Sequence, residues 1–172
     1  RQMLTLALLP SANDFAASFA ALTIGDDAAY SAAVAEWAGR HGLESLSLTE
    51  PTGMDEANMA TAADVVRIGR LALAHPTIAE FTRTASAELP WGIGTVENTN
   101  PLLTQLPGVV GLKTGRSSSA GFNLAVAQEA DASGRPVVKI TAVLGRSSGA
   151  ERARDSSALL TAMNGAAHPL QL

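Results

Sequence analysis

The feature that most constrains this chain is the run Gly111-Leu112-Lys113-Thr114-Gly115, which follows the apolar pair Val109-Val110. Two further stretches with strand-like apolar patterns follow it, over residues 122–128 and 136–144. A lysine supplies a point charge, a threonine supplies a hydroxyl, and a glycine lets the backbone of a ligand lie close to a strand. The pattern therefore predicts an anion-binding edge at the end of a strand, beside two antiparallel neighbours.

Composition narrows the class of protein. A chain of 172 residues with 47% hydrophobic residues is long enough for one domain with a substantial core. Its net charge of −4 provides no basic surface, so we expect no nucleic-acid partner. It contains no cysteine, and His41, His75 and His168 are scattered without a ligand spacing, so neither a metal nor another cofactor is predicted.

The order of the predicted elements favours an α+β fold, because helices come first and antiparallel strands come last. Three strands are few for this much core, and we expect strands from a missing N-terminal part to complete the sheet. The prediction includes a possible short strand over residues 43–48, an irregular connection over 82–106 with one strand near 84–89, and a tail over 166–172. The predicted helices cover residues 3–9, 15–22, 27–40, 62–75, 78–81 and 151–163.

The apolar N-terminus, residues 1–9, has two interpretations. A signal peptide has a similar composition, but this stretch is short and has no small-x-small cleavage site before Pro10. A buried helix that ends at the proline is the preferred interpretation. A start inside a core helix indicates a chain whose beginning has been lost.

A second motif, Ser11-Ala12-Asn13, lies upstream of the lysine motif, in a turn whose polar residues are predicted to cap the next helix. Penicillin-binding proteins and class A β-lactamases combine S-x-x-K, S-x-N and K-T-G motifs in this order. The first of the three is absent here. The only lysines are Lys113 and Lys139, and neither follows a serine by three positions.

With these motifs in place, the chain resembles the catalytic domain of the serine-type D-alanyl-D-alanine carboxypeptidases, the low-molecular-mass penicillin-binding class with a β-lactamase/transpeptidase-like fold. The resemblance covers almost the whole chain, which would then be a single, incomplete catalytic domain over residues 1–172 that lacks the S-x-x-K segment. Departures at Glu50-Pro51-Thr52 and at Arg116 affect substrate fit. The segments that carry the resemblance are Leu8-Leu9-Pro10-Ser11-Ala12-Asn13-Asp14, Glu50-Pro51-Thr52-Gly53-Met54-Asp55, Ala60-Thr61-Ala62-Ala63-Asp64, Asn98-Thr99-Asn100-Pro101-Leu102-Leu103, Pro107-Gly108-Val109-Val110-Gly111-Leu112-Lys113-Thr114-Gly115 and Ser119-Ala120-Gly121.

The resemblance implies three catalytic residues. Ser11 would stand in the proton path between the acylated serine and the leaving nitrogen, and Asn13 would hydrogen-bond the acyl amide of the substrate. Lys113 would keep the proton relay poised and attract the terminal carboxylate. Alternative interpretations are a turn serine, an Asx-turn asparagine and a surface lysine.

The resemblance also implies three substrate-binding residues on the lysine strand. Thr114 would donate to the substrate carboxylate, and Gly115 would leave room for the substrate to add alongside the strand. The backbone N–H of Arg116 would be one of two oxyanion donors, with the other on the missing serine. The alternatives are cross-strand packing for Thr114 and a loop arginine in solvent for the Arg116 guanidinium.

The implied function is removal of the terminal D-alanine from peptidoglycan stem peptides, with β-lactam binding, outside the cytoplasm. The missing N-terminal segment of the domain would be a partner, and any membrane attachment would lie beyond this chain. Two alternatives from the same fold stay open, a non-catalytic peptidoglycan-binding module and a serine β-lactamase.

A nucleophile elbow at Gly145-Arg146-Ser147-Ser148-Gly149 would need Asp155 and His168 as partners and leaves too few residues for the intervening strands. The charged residues of the last helix, Arg152 among them, are predicted to form a solvated face.

Overall fold

The computed structural model describes residues 1–90, 92–132 and 134–165. It is an α+β structure in which helices occupy most of the first half and an antiparallel sheet follows. Among the described residues, no helix combines the length and the apolar character needed to cross a membrane.

Three helices open the chain: α1 (Gln2–Leu8), α2 (Asn13–Thr23) and α3 (Asp27–Arg40). Helix α1 ends before Pro10, as the sequence predicts, and Leu6 and Leu9 are buried. Asp26 caps α3 by accepting a hydrogen bond from the Ala29 backbone N–H at 2.9 Å. The predicted polar cap of α2 is wrong, because its N-cap is Ala12 and no side chain caps the helix.

The middle of the chain contains α4 (Ala62–Ala74) and α5 (Pro76–Arg83), followed by a hairpin of β1 (Ser86–Leu89) and β2 (Gly94–Glu97) and a single turn, α6 (Leu102–Gln105). The predicted strand over residues 43–48 is replaced by one isolated bridge between Ser47 and Met59. Only β1 of the hairpin was predicted. Leu9 accepts a hydrogen bond from the Thr99 backbone N–H at 3.1 Å, which ties the end of α1 to the segment after β2.

The main sheet has the antiparallel order β3 (Val109–Ser117), β4 (Gly121–Asp131) and β5 (Pro136–Arg146). The Lys-Thr-Gly motif lies inside β3 rather than at the end of a strand. Its three residues pair with Ala125, Leu124 and Asn123 of β4, respectively. The motif is therefore held by a continuous strand ladder at the edge of the sheet.

Helix α7 (Gly149–Ala162) packs across β4 and β5 and continues into a 3-10 turn, Met163–Gly165. Burial of each large core side chain contributes about 1.5–3 kcal/mol. On the other side α4 lies close to the sheet, because a Cβ on Gly69 would come within 2.6 Å of Leu112 Cδ1. The central core cluster consists of Leu102, Leu124, Val126 and Leu160. The predicted tail over residues 166–172 lies outside the described residues.

Candidate active site

The two motifs meet at Lys113 and Ser11, which are 102 positions apart in the sequence. Lys113 Nζ donates to Ser11 Oγ at 2.6 Å and to the backbone carbonyl of Thr114 at 3.0 Å. Ser11 follows the end of α1 and has a φ of 63°, a left-handed conformation that is uncommon for a residue with a side chain. A fixed helix end and a fixed strand therefore hold the hydroxyl and the amine in contact.

The environment of Lys113 disfavours its charge. Burial of the ammonium lowers the pKa of Lys113 from 10.5 to about 8, and repulsion from Arg152 adds to this effect. A large part of the amine is therefore neutral in mildly alkaline solution. An amine of this kind can exchange a proton with the Ser11 hydroxyl, which it already contacts.

Arg152 lies in α7, whose charged residues were predicted to face solvent. For Arg152 this prediction is wrong, because Arg152 is only 9% exposed and donates from Nη1 to the Asn123 carbonyl at 3.3 Å. Burial lowers the pKa of the Arg152 guanidinium. Ser156 and Leu160, which follow at four-residue intervals, are also buried, and this spacing was the available signal.

Thr114 is 8% exposed, and its hydroxyl contacts the Thr99 hydroxyl at 2.5 Å. Thr99 Oγ1 also donates to the Leu9 carbonyl at 3.3 Å. The N-x-N segment that contains Thr99 carries the resemblance, but nothing in the sequence indicates a contact with the lysine strand. The structure thus joins a third segment to the two motifs.

Gly115 borders open space. A Cβ on Gly115 would meet only Asn123 Cβ, at 3.9 Å, so the protein itself does not require a glycine at this position. Asn123 supports the neighbouring turn, because its Oδ1 accepts from the Gly145 backbone N–H at 2.8 Å. The free space beside Gly115 is available to a ligand.

The structure places the other two predicted residues at the surface. Asn13 is the exposed first residue of α2, and within the described part of the chain its side chain makes no hydrogen bond. Arg116 is exposed, and its guanidinium carbon lies 4.8 Å from the centre of the Phe122 ring. Stacking on this ring holds the guanidinium near the strand.

An apolar groove lies between the helices and the sheet. We call it the α4 groove, and its volume is about 340 Å³. Lys113 and Gly115 are among its lining residues, so the groove adjoins the polar site. Its apolar lining includes Leu8, Val65, Ile68, Ala72, Ile78, Leu112 and Leu144.

The serines of the elbow-like sequence serve the start of α7. Ser148 accepts from the Glu151 backbone N–H at 3.2 Å, and Ser147 Oγ donates to the Glu151 carboxylate at 2.5 Å. Asp155 accepts from Arg146 at 2.6 Å. His168, the other partner that an esterase would need, lies outside the described residues. The described contacts are those of a capped helix.

Comparisons with known proteins agree with the motif analysis. A sequence profile described as D-alanyl-D-alanine carboxypeptidase matches residues 1–148. The chain is 36% identical over 125 residues to the D-alanyl-D-alanine carboxypeptidase DacB2 of Mycobacterium tuberculosis, a match that covers 70% of this chain and 43% of that protein.

The solved structures that the chain resembles include penicillin-binding proteins and a DD-transpeptidase. Penicillin-binding protein D2 from Listeria monocytogenes in its ampicillin-bound form superposes with a TM-score of 0.81 and 26% identity, over 92% of this chain and 65% of that one. A mutant of a Streptomyces DD-transpeptidase gives a TM-score of 0.81 and 26% identity, over 93% and 65%. The chain thus spans 43–65% of the length of these relatives. The predicted fold and family are confirmed: the chain belongs to the D-alanyl-D-alanine carboxypeptidase family.

Proposed function

We propose that the natural protein containing this chain is a serine-type DD-carboxypeptidase that removes the terminal D-alanine from peptidoglycan stem peptides. The observation that carries the proposal is the hydrogen bond between Lys113 Nζ and Ser11 Oγ, because it joins the two family motifs in one site. DacB2 bears the name of this activity, and the profile match covers most of the chain.

The reaction would proceed in two steps. A serine gives up its hydroxyl proton as its oxygen bonds to the carbonyl carbon of the penultimate D-alanine, the C–N bond breaks, and the leaving amine takes a proton. Water then bonds to the same carbon, the bond between that carbon and the serine oxygen breaks, and the serine recovers a proton from the water. Ser11 would carry the proton to the leaving amine, and Lys113 would keep this proton relay poised and attract the terminal carboxylate of the substrate.

The remaining residues would hold the substrate. Asn13, whose amide is unpaired within the described residues, would bind the acyl amide, and Thr114 would donate to the terminal carboxylate. The substrate would lie against the open space beside Gly115. The backbone N–H of Arg116 would point at the developing oxyanion.

The acylated serine would come from an S-x-x-K segment outside these 172 residues, which contain no such sequence. We propose that this segment occupies the α4 groove, since the groove is mostly apolar and Lys113 and Gly115 are among its lining residues. The 172 residues would then form one incomplete catalytic domain together with it.

We further propose that the protein binds β-lactams and works outside the cytoplasm. The ampicillin-bound relative supports the first part, and the peptidoglycan substrate of the proposed reaction supports the second. Any membrane attachment would depend on sequence beyond this chain.

The test measures release of D-alanine from a peptide that ends in D-Ala-D-Ala, together with covalent labelling by a fluorescent penicillin. The full-length natural protein should show both, and the 172-residue chain alone should show neither. Lys113→Ala in the full-length protein should lower kcat/KM by roughly 10²–10⁴-fold. Strong covalent labelling of the 172-residue chain would contradict the proposed location of the nucleophile.

A second candidate is a non-catalytic peptidoglycan-binding module, which the absence of S-x-x-K from these residues favours. In that case the natural protein binds the peptide reversibly and releases no D-alanine. A serine β-lactamase would instead hydrolyse the fluorescent penicillin rapidly, so that the label is lost from the protein.

A further inference from the structure

Thr99 connects two parts of the site that are distant in the sequence. Its backbone N–H donates to the Leu9 carbonyl at 3.1 Å, just before the turn that contains Ser11. Its hydroxyl lies 2.5 Å from Thr114 Oγ1 and 3.3 Å from the same Leu9 carbonyl. A single residue thus contacts both the end of α1 and the lysine strand.

Each hydroxyl has only one proton to donate, and this limits the possible hydrogen bonds between Thr99 and Thr114. A hydroxyl has one proton and two lone pairs, so at 2.5 Å one of the two threonines donates to the other. The Leu9 carbonyl has two lone pairs and accepts from both the N–H and the hydroxyl of Thr99, so without a ligand Thr114 donates to Thr99. When Thr114 donates to a ligand instead, the Thr99 hydroxyl can turn its proton to Thr114 Oγ1, because the Leu9 carbonyl keeps the Thr99 N–H.

We propose that Thr99 is a positioning residue that fixes the side-chain rotamer of Thr114 and directs the Thr114 hydroxyl proton at the terminal carboxylate of the ligand. The carboxylate is that of the D-Ala-D-Ala peptide, so this part of the inference rests on the proposed function. A hydrogen bond to a charged carboxylate is stronger than one to a neutral amide. Thr99 thereby strengthens the preference of the site for a free C-terminus, in addition to the attraction by Lys113.

The first measurement does not depend on ligand binding. Thr114 χ1 is determined from three-bond NMR couplings in the 172-residue chain, in Thr99→Val, which removes the hydroxyl at similar volume, and in Thr99→Ser, which keeps it. Thr104→Val is the control, because the Thr104 hydroxyl contacts only the Pro101 carbonyl at 3.3 Å within the described residues. We expect one Thr114 rotamer in the unmodified chain, in Thr99→Ser and in Thr104→Val, and averaged couplings in Thr99→Val. A single unchanged rotamer in Thr99→Val would overturn the inference.

The second measurement compares the affinity of the 172-residue chain and its variants for a D-Ala-D-Ala peptide with their affinity for the C-terminal amide of that peptide. In Thr99→Val the preference for the carboxylate should fall about ten-fold, while Thr99→Ser and Thr104→Val should change it less than about two-fold. An equal loss in Thr99→Ser would overturn the role of the hydroxyl. If the unmodified chain binds both peptides equally, the proposed function fails, and the rotamer measurement still decides the role of Thr99.

Discussion

At the scale of single residues, the lowered pKa of Lys113 predicts a pH-dependent site. The protonated amine attracts a carboxylate, and its pKa of about 8 means that this charge is lost near pH 8 rather than near 10.5. The affinity of the chain for a D-Ala-D-Ala peptide should therefore fall between pH 7 and pH 9.5. Calorimetry across this range, with the C-terminal amide as a control ligand that lacks the charge, measures the effect. A constant difference between the two ligands would contradict this role for Lys113.

Gly115 provides a prediction that separates binding from stability. In Gly115→Ala the added methyl meets no close neighbour in the protein, so the free energy of unfolding should stay the same or rise by up to about 1 kcal/mol. The methyl would occupy the space proposed for the ligand, and peptide affinity should fall roughly 10- to 100-fold.

Urea unfolding and the peptide titration test both halves of this prediction. Gly108→Ala is the matched control, because Gly108 has a φ of 77° and a Cβ there would lie 2.6 Å from the Glu129 carbonyl. It should destabilise the fold by about 1–3 kcal/mol. Unchanged affinity in Gly115→Ala would show that the ligand does not approach this strand.

The family resemblance implied that Lys113 and Ser11 share one site, and the structure brings the two side chains into contact. Residue types and order were not enough to place Thr99 or Arg152. A hydroxyl contact between Thr99 and Thr114 depends on where the end of β2 lies relative to β3, and a single threonine gives no signal of that position. The burial of Arg152 depends on how α7 rotates on the sheet, which its charged sequence obscures.

At the scale of elements, the loop over residues 49–58 is organised by one carboxylate. Glu50 accepts hydrogen bonds from the backbone N–H groups of Thr52, Met54 and Asp55 at 2.6, 2.8 and 3.2 Å, and from Asn58 Nδ2 at 2.6 Å. Burial alone would raise the pKa of Glu50, but hydrogen bonds from these backbone groups and from the Thr52 side chain outweigh it and lower the pKa from 4.5 to about 2.

Glu50→Gln should therefore loosen this loop, since an amide presents N–H groups where three backbone donors need an acceptor. The amides of Thr52, Met54 and Asp55 should exchange faster with solvent, measured by hydrogen exchange. Glu56→Gln is the control, because Glu56 is exposed in the same loop. The stability that the Glu50 carboxylate contributes is present above pH 4.5 and is lost as the pH falls toward 2, so the unmodified chain and Glu50→Gln should converge in acid. Equal exchange rates at neutral pH would contradict this role.

Regular elements were predictable where their signals are local. Pro10 marks the end of α1 correctly, and the three strands of the main sheet follow from apolar runs separated by turns. The hairpin β1–β2 was half missed because β2 has four residues and only two inward positions, Gly94 and Val96, the first of which has no side chain. One apolar side chain is too short a pattern to indicate a strand, and the pairing of such a strand depends on the turn of the hairpin.

At the scale of the whole molecule, the apolar α4 groove and the edge of β3 that is unpaired within the described residues both lie beside the site. β3 and β5 are the outer strands of the sheet in the described part of the chain, and the α4 groove runs between the sheet and the helices. In the described structure the apolar side chains that line this groove are in contact with water. The proposed S-x-x-K segment would both cover this groove and place the nucleophilic serine next to Lys113.

This proposal predicts a difference in dye binding between the chain and the full-length natural protein. A fluorescent apolar dye should bind the 172-residue chain in the α4 groove, and Val65→Ser, at the groove wall, should weaken that binding. Leu22→Ser is the control, because Leu22 is 77% exposed and does not line the groove. The full-length protein should bind little dye, since its own S-x-x-K segment fills the groove. Dye binding as strong as that of the chain would mean that no segment covers the groove, and would favour the non-catalytic peptidoglycan-binding module.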